Sequence, residues 1–193
     1  MDLTQRAATP DGYFEDVWAA GDDPWEHGTR WYETRKYDLT AAALPRPRYR
    51  RSFEPGCGAG FLTARLAERS EEHLAMERHP RGVAATARRC HDRPTVTVLE
   101  GTIPDDWPPG RFDLIVLSEV LYYLDDADLD AVLERVDGSL VTGGDLVVVH
   151  YRPAVAEHTW TGDEVHSRLR SRTSWDVVLE VVDPQFRLEV LER

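Results

Sequence analysis

Short apolar runs alternate with amphipathic segments along most of the chain, from residue 53 onward. The clearest apolar run is 114–117, which predicts a strand that is covered on both faces. Residues 61–70 instead place Phe61, Leu62 and Leu66 at helical spacing. This alternation of strand-like and helix-like stretches is typical of a parallel sheet packed between helices.

The two ends of the chain depart from this alternation. Residues 175–192 predict two strands around a turn at Pro184, and therefore an antiparallel end to the sheet. Residues 11–44 are rich in aromatic side chains and predict a helical segment that has no place in the sheet. The prolines at 104, 108 and 109 keep the third crossover irregular.

These patterns together predict an α/β fold. We expect a Rossmann-like, mostly parallel seven-stranded sheet with helices on both faces, an antiparallel C-terminal strand pair and an N-terminal helical cap. We expect strands near Ser52, His73, Thr95 and Leu114, and helices that start near Phe61 and Pro80. Tyr122 and Tyr123 are expected to open the next helix. A fifth strand over 143–151 and a last helix near Gly162 follow. With 193 residues the chain suits one domain, with 1–45 as the cap over the ligand and 46–193 as the core.

The composition indicates where in the cell a protein with this fold is expected to work. Hydrophobic residues make up 41% of the chain and charged residues 30%, and no run approaches the roughly 20 apolar residues that a membrane span needs. The start of the chain lacks the features of a signal peptide, so we expect a cytoplasmic protein without a membrane partner. The two cysteines, Cys57 and Cys90, suit neither a disulfide framework nor a zinc site, and no metal is expected.

The charge balance argues against a nucleic-acid partner. The formal net charge is −12, which repels polyanions, and the arginine clusters at 45–51, 88–93 and 166–172 are expected to be solvated. The fourth expected strand ends in SEVLYYL and lacks the N-P-P-Y-type motif of enzymes that modify flipped bases. The sequence gives no signal for an oligomeric state.

A glycine-rich turn follows the first expected strand. The stretch EPGCGAG, 54–60, spaces its glycines unlike the dinucleotide fingerprint G-x-G-x-x-G, and it lacks the lysine and hydroxyl residue of a phosphate-binding P-loop. Glycine permits both a sharp turn and a close approach of ligand to backbone. The turn therefore predicts a nucleotide-like ligand other than a dinucleotide.

Two acids indicate which ligand. Glu54 lies beside the turn, where a carboxylate would repel a pyrophosphate and favour ammonium and sulfonium charges. Glu77 ends the second expected strand, where an acid can accept hydrogen bonds from both ribose hydroxyls. A ligand that is cationic at one end and carries a free ribose is S-adenosylmethionine, whose product is S-adenosylhomocysteine.

Several stretches together resemble the class I S-adenosylmethionine-dependent methyltransferases. They are FEPGCGAG at 53–60, AMER at 75–78 and EGTIPDDWPPGRFDLIVLSEVLYYL at 100–124. DPWEHGTRWYETRKYDLTAAALP at 23–45, with HYRP and WTGDEVHSRL at 150–153 and 160–169, is similar to the nodulation protein S-like group. The resemblance covers 13–193, which is nearly the whole chain.

The resemblance implies a role for each matching residue. The turn residues at the methionine end of the cofactor are Glu54, Gly56, Cys57, Gly58 and Gly60. The residues near the ribose and the adenine are Glu77, Arg78, Gly101, Thr102 and Ile103. The residues near the sulfonium are Ser118 and Glu119. In the cap, Trp25 and Arg35 cover the cofactor, and Arg35 is available to pair with its carboxylate.

Methyl transfer from a sulfonium is an in-line displacement, so the protein mainly aligns the acceptor and excludes water. Such positioning supplies up to about 7–11 kcal/mol of barrier reduction. A general base matters only when the acceptor arrives protonated. His150, at the end of the fifth expected strand, is the leading candidate base because histidine accepts protons near neutrality. Glu119 and Tyr122 are the alternatives.

The acceptor follows from the resemblance alone. Nodulation-type relatives methylate the amine of a glucosamine unit in a chito-oligosaccharide, which suggests N-methylation of an amine in an amino sugar or oligosaccharide. Three alternatives stay open: an O-methyltransferase of a small biosynthetic metabolite, a non-enzymatic Rossmann-like binding protein and a nicotinamide-dependent oxidoreductase. The last would need a different glycine spacing and a Tyr-x-x-x-Lys pair, which the sequence lacks.

Overall fold

The structure, a computed structural model, describes residues 6–193, so the first five residues of the predicted cap lie outside it. The helices are α1 (Asp11–Ala19), α2 (Trp31–Ala43), α3 (Phe61–Ala67), α4 (Pro80–Arg89), α5 (Asp126–Ser139) and α6 (Gly162–Arg172). The strands are β1 (Tyr49–Pro55), β2 (Ser70–Glu77), β3 (Val96–Glu100), β4 (Phe112–Ser118), β5 (Leu140–Tyr151), β6 (Asp176–Val182) and β7 (Phe186–Glu192). A 3₁₀ turn at Leu121–Tyr123 precedes α5.

The seven strands form one sheet in the order β3-β2-β1-β4-β5-β7-β6. The first five are parallel, and β7 runs antiparallel to both β5 and β6. The predicted seven-stranded sheet with its antiparallel end is therefore confirmed. The strand order reverses between β1 and β4, which places a ligand site at the carboxyl ends of these two strands.

The alternation of side chains along β4 explains why its apolar run is continuous. Leu114 and Val116 pack on the face that α2 and α3 cover, whereas Ile115 and Leu117 pack on the face that α5 and α6 cover. Successive residues of a strand point to opposite faces, so a strand in the middle of a doubly covered sheet needs an apolar residue at each position.

Three strands begin earlier than the apolar pattern predicts, and in two of them, β1 and β2, charged residues follow the first position. β1 starts at Tyr49 and β2 at Ser70, and the Arg51 Nε lies 3.0 Å from a Glu72 carboxylate oxygen across the two strands. The Asp113 carboxylate accepts the backbone N–H of Arg51 at 2.9 Å. Pairing between charged side chains replaces apolar burial at the start of β1 and β2. β5 also starts early, at Leu140, directly after α5, but its first residues are uncharged.

Two helix starts have clear local causes. Thr161 and Glu164 form a capping box at the start of α6, as the sequence predicts for a helix near Gly162. Tyr122 and Tyr123, expected to open a helix, lie in the 3₁₀ turn instead, because the backbone becomes extended at Leu124. α5 then starts after Asp125, whose carboxylate accepts the Asp128 N–H at 2.8 Å. Across residues 6–193, none of the helices has the length and hydropathy of a membrane span.

Candidate active site

A cavity of about 740 Å³ lies at the carboxyl ends of the parallel strands. We divide the cavity into two halves according to the strands beside it. One half lies toward β2 and β3, on one side of β1, and the other lies toward β5 and β7, beyond β4. The glycine half is lined by Gly56, Gly58, Met76, Glu77, Arg78, Gly101, Thr102 and Ile103. The tyrosine half is lined by Tyr122, Tyr123, Tyr151, Val155, His158 and Gln185. Residues from α1, α2 and the loop between them close the cavity opposite the sheet.

The glycine turn presents its backbone to the glycine half. Gly56 and Gly58 have φ angles of 71° and 57°, a region that favours glycine. The Cys57 N–H donates to the Met76 carbonyl oxygen at 2.9 Å, which ties the turn to β2. A Cβ atom added at Gly58 would lie 3.8 Å from the ring of His27, which lines the cavity. The missing side chain therefore leaves room for a ligand beside the backbone.

Glu77 is the acid of the glycine half. Its two carboxylate oxygens accept the backbone N–H groups of Gly58 and His79, each at 3.0 Å. Burial raises the pKa of this carboxyl, against the opposing effect of the backbone donors. Each oxygen keeps a lone pair beyond the one that it uses, and the side chain lines the cavity. The carboxylate thus has the capacity to accept two ligand hydroxyls, as a ribose requires.

The walls of the glycine half are aromatic and cationic. The Arg78 guanidinium lies 4.4 Å above the Phe14 ring and pairs with Asp11. Trp25 stacks on His27 with ring centroids 5.6 Å apart. Beyond β3, the Thr102 N–H donates to the Asp106 carboxylate at 2.9 Å, which holds the loop in place. The cavity brings together these predicted residues: Trp25, Gly56, Gly58, Glu77, Arg78, Gly101, Thr102, Ile103, Glu119 and Tyr122.

A buried charge cluster lies where the two halves meet. The Lys36 ammonium lies 2.9 Å from Glu33 and 2.5 Å from Glu119, and only 1% of the lysine is exposed. Burial opposes the charge on Lys36, but the two carboxylates outweigh it and raise the pKa of the ammonium. Two carboxylates share one ammonium, so the cluster carries an excess negative charge. We call Glu33, Lys36 and Glu119 the acidic triad.

Glu119 is held in an unusual backbone conformation, with a φ angle of 57°. Its carboxylate accepts the Tyr122 hydroxyl at 2.5 Å and the Tyr151 N–H at 2.9 Å, besides the Lys36 ammonium. Burial opposes the charge, but the ammonium and these hydrogen bonds lower the pKa of Glu119 to about 2. The group is thus a fixed negative charge and a poor proton acceptor, which argues against its predicted role as a base.

Tyr122 connects the acidic triad to His158. Burial and the neighbouring Glu119 carboxylate raise the pKa of the Tyr122 hydroxyl well above its ordinary value, so it remains a donor. The His158 ring stacks on the Tyr122 ring at 3.9 Å, with an angle of 15° between the planes. Tyr123 meets the His158 ring edge-on at 4.9 Å. These rings form the wall of the tyrosine half.

Four predicted turn and strand residues do not line the cavity. The Glu54 carboxylate is buried on the other side of β1, where it accepts the Thr63 hydroxyl at 2.7 Å and lies 3.1 Å from the His73 ring. Gly60 precedes α3 as its N-cap, with a φ angle of 78°, and packs against Thr86 of α4. Cys57 and Ser118 are buried, and burial raises the pKa of the Cys57 thiol well above its ordinary value. The structure therefore places the Glu54 carboxylate away from the cavity, whereas Glu33, Lys36 and Glu119 line it.

Arg35, which was predicted to cover the cofactor, also lies away from the cavity. Its guanidinium pairs with Asp183 at 2.8 Å, in the connection between β6 and β7, and lies 5.6 Å from the Phe186 ring. Along α2 the next residue, Lys36, faces the cavity instead. Adjacent residues of a helix point about 100° apart, so Arg35 points away when Lys36 points in.

His150, the leading candidate base, is not accessible. It is fully buried, and its Nε2 accepts the Leu121 N–H at 3.2 Å. The Nδ1 of His150 therefore carries the proton, and it lies 3.4 Å from the Nε2 of His166. The Nδ1 of His166 in turn lies 2.7 Å from the Glu189 carboxylate. Burial, and then His166, lower the pKa of His150 well below its ordinary value. His150 thus supports the turn that carries Tyr122.

The cavity residues that the sequence analysis missed include His27, Glu33, Lys36 and His158. The three-residue spacing of Glu33 and Lys36 on one helix was a usable signal for an ion pair. His158 lies in an irregular loop, where no periodicity indicates which way a side chain points. Among residues 6–193, His, Cys, Asp and Glu form no group of three or more that could hold a metal ion.

Comparison with known proteins gives a consistent result for sequence and structure. A family model described as nodulation protein S (NodS) matches residues 15–168. The nodulation protein S of Rhizobium tropici is 28% identical over 137 residues, which cover 70% of this chain and 58% of that protein. The chain thus spans about six tenths of the length of this relative.

Two solved structures have the same fold. A protein of Pseudomonas syringae, described as a candidate methyltransferase, is 39% identical, with a TM-score of 0.76 and coverage of 85% of this chain and 100% of that one. The N-methyltransferase NodS from Bradyrhizobium japonicum WM9, solved with S-adenosylhomocysteine, has a TM-score of 0.84 at 23% identity, with coverage of 94% and 97%. The second of these supports the fold alone, because its identity is low.

Proposed function

Because the chain belongs to the nodulation protein S family of class I S-adenosylmethionine-dependent methyltransferases, we propose that it transfers a methyl group from S-adenosylmethionine to an amine of a small molecule or carbohydrate. The observation that carries the choice of acceptor is the acidic triad. Its excess negative charge is buried at the junction of the two halves of the cavity, where it favours a cationic acceptor over a neutral alcohol.

The glycine half fits the cofactor. Glu77 would accept the ribose hydroxyls, and Gly101, Thr102 and Ile103 would flank the adenine. The open backbone at Gly58 and the cover of Trp25 and His27 would enclose the methionine end. When bound, the cofactor supplies the methyl group as an activated sulfonium.

The tyrosine half suits an acceptor with a ring. Tyr122 and Tyr123 form its wall, and Trp31 lies at the edge of the cavity with 74% of its surface exposed. An aromatic face of this kind packs against the apolar C–H face of a sugar ring. An amino sugar or amino-oligosaccharide therefore combines the two features that this half offers, negative charge and aromatic surface.

The chain's own residues have three tasks in the reaction. The acidic triad draws an ammonium group toward the junction, and the aromatic walls hold the acceptor and exclude water. Holding two reactants in line lowers the activation barrier by up to about 7–11 kcal/mol. Because an ammonium nitrogen has no lone pair, a base must also remove a proton before the nitrogen can attack.

Ligand binding tests the donor site first. S-adenosylhomocysteine should bind to the purified protein in isothermal titration calorimetry with one site per chain, whereas NAD⁺ should give no heat of binding. NAD⁺ would bring a pyrophosphate to a glycine turn of different spacing, with the acidic triad nearby. Binding of NAD⁺ in preference to S-adenosylhomocysteine would favour the oxidoreductase alternative. Binding of S-adenosylhomocysteine without methyl transfer to any acceptor would favour the non-enzymatic one.

A further inference from the structure

We propose that His158 is the general base that removes a proton from the ammonium group of the acceptor. This inference rests on the proposed function and adds to it a catalytic residue. His158 lies in the loop between β5 and α6 and lines the tyrosine half of the cavity. None of the residues predicted from the sequence as a base combines access to the cavity with a free basic atom.

The ring of His158 is fixed in orientation and free to accept a proton. The Tyr122 ring lies parallel to it at 3.9 Å, and Tyr123 meets it edge-on at 4.9 Å. Its backbone N–H donates to the Val155 carbonyl oxygen at 3.1 Å, which closes the loop on itself. Within residues 6–193 neither ring nitrogen makes a hydrogen bond. In a neutral imidazole one of these nitrogens is a free acceptor.

Burial keeps this imidazole neutral near pH 7, against the effect of the charged groups around it. Burial lowers the pKa of His158, and the Glu119 and Glu157 carboxylates oppose that effect without reversing it. Tyr122 and Tyr123, which pack against the ring, have raised pKa values and stay neutral. His150 behind them is also neutral, because its pKa is lowered. A neutral histidine is the form that takes up a proton.

The other candidates fail on accessibility or basicity. His150 is buried with both ring nitrogens engaged, and the Glu119 carboxylate has a pKa of about 2. His27 lies across the cavity in contact distance of the glycine turn, on the side of the donor. The Tyr122 hydroxyl donates a hydrogen bond to Glu119 and keeps its proton, because its pKa is raised. His158 remains, and it lines the half of the cavity that we assign to the acceptor.

The proton and electron balance of the step is simple. The ammonium nitrogen loses one proton to the free ring nitrogen of His158, which becomes an imidazolium. The freed lone pair forms the new N–C bond, while the S–C bond breaks and its electron pair stays on sulfur as a thioether. The methylated product leaves as an ammonium ion, and His158, which is partly exposed, returns its proton to solvent.

The variant His158→Gln tests this role, because glutamine keeps a planar polar side chain and cannot take up the proton. We expect its kcat/KM for an amine acceptor at pH 7 to fall by about 10²–10⁴-fold, while its affinity for S-adenosylhomocysteine stays that of the wild type. The deficit should shrink as the pH approaches the pKa of the acceptor amine, where free amine becomes available. The exposed His91 provides a matched control, and His91→Gln should retain the wild-type rate.

A second measurement reads the imidazole directly. NMR of the S-adenosylhomocysteine complex should show one histidine whose titration is lost in His158→Gln and whose pKa lies below about 6.5. A wild-type rate and pH profile in His158→Gln would overturn the role of His158 alone, as would a His158 ring that does not titrate. Failure of the wild-type protein to methylate any amine would instead overturn the proposed function, and with it a base for that reaction.

Discussion

Lys36→Met should lower the free energy of unfolding by about 3–5 kcal/mol, the usual effect of leaving buried charges without their partner. The Lys36 ammonium lies between the Glu33 and Glu119 carboxylates, and the lysine is buried. Methionine keeps the length of the side chain and removes the charge. Denaturant unfolding, followed by circular dichroism at pH 8, measures the difference.

The loss in Lys36→Met should also depend on pH, with a sign that follows from Glu119. In the wild-type protein the pKa of Glu119 is lowered from 4.5 to about 2 in the folded state. Its charge therefore stabilises the fold above pH 4.5, and that stabilisation is lost as the pH falls toward about 2. Without Lys36, burial would raise this pKa, and protonation would relieve the unpaired charge. The deficit of the variant should therefore be smaller at about pH 5 than at pH 8.

Two further variants separate the buried pair from a general effect of lost charge. Lys36→Met combined with Glu119→Gln removes one of the unpaired carboxylates and should recover part of the lost stability. The exposed pair Arg88 and Asp22 is the control, and Arg88→Met should change stability by less than about 1 kcal/mol. Equal stability of Lys36→Met and the wild type would show that the acidic triad is not a buried ion cluster.

Glu77→Ala should weaken the affinity for S-adenosylhomocysteine by about 100-fold or more. The variant removes two hydrogen bonds from a charged acceptor to the ribose, each with a net contribution of about 1.5–3 kcal/mol. A change of 1.4 kcal/mol corresponds to about a tenfold change in Kd. It also frees the backbone N–H groups of Gly58 and His79, which the carboxylate now holds in place. Calorimetric titration of both proteins gives the two Kd values.

A neighbouring acid supplies the control for Glu77. Glu100 pairs with Glu77 in the register of β2 and β3 and is exposed, so Glu100→Ala changes the charge of the same sheet edge without reaching the cavity. It should bind S-adenosylhomocysteine with nearly wild-type affinity. A Glu77→Ala protein that is folded and binds as tightly as Glu100→Ala would rule out the ribose contact.

Structural features that depend on residues close together in the chain could be predicted from the sequence. The continuous apolar run of β4 and the alternation in the tail predicted the parallel core and its antiparallel end, because burial on one or two faces fixes those periods. Gly56, Gly58 and Glu77 were found because a turn after a strand and an acid at a strand end have fixed places at the ligand edge.

Side-chain direction at that edge was not readable, because it depends on how elements pack. Residues of a strand alternate between two faces, and at the end of β5 this places Tyr151 on the cavity and His150 beneath it. Glu54 is likewise turned into the layer between β1, β2 and α3. The rotation of α2 against the sheet selects Lys36 over Arg35. Each of these choices is set by tertiary packing.

Methyl transfer to acceptors that differ only at the reacting group tests the proposed enzyme most directly. The protein is incubated with methyl-labelled S-adenosylmethionine and with pairs such as glucosamine and glucose, deacetylated and acetylated chito-oligosaccharides, or benzylamine and benzyl alcohol. Mass spectrometry then locates the label. We expect N-methylated product from the amine of at least one pair and none from its partner, because the acidic triad favours a cationic acceptor. Label on a hydroxyl oxygen, or in no product while the cofactor binds, would contradict amine methylation.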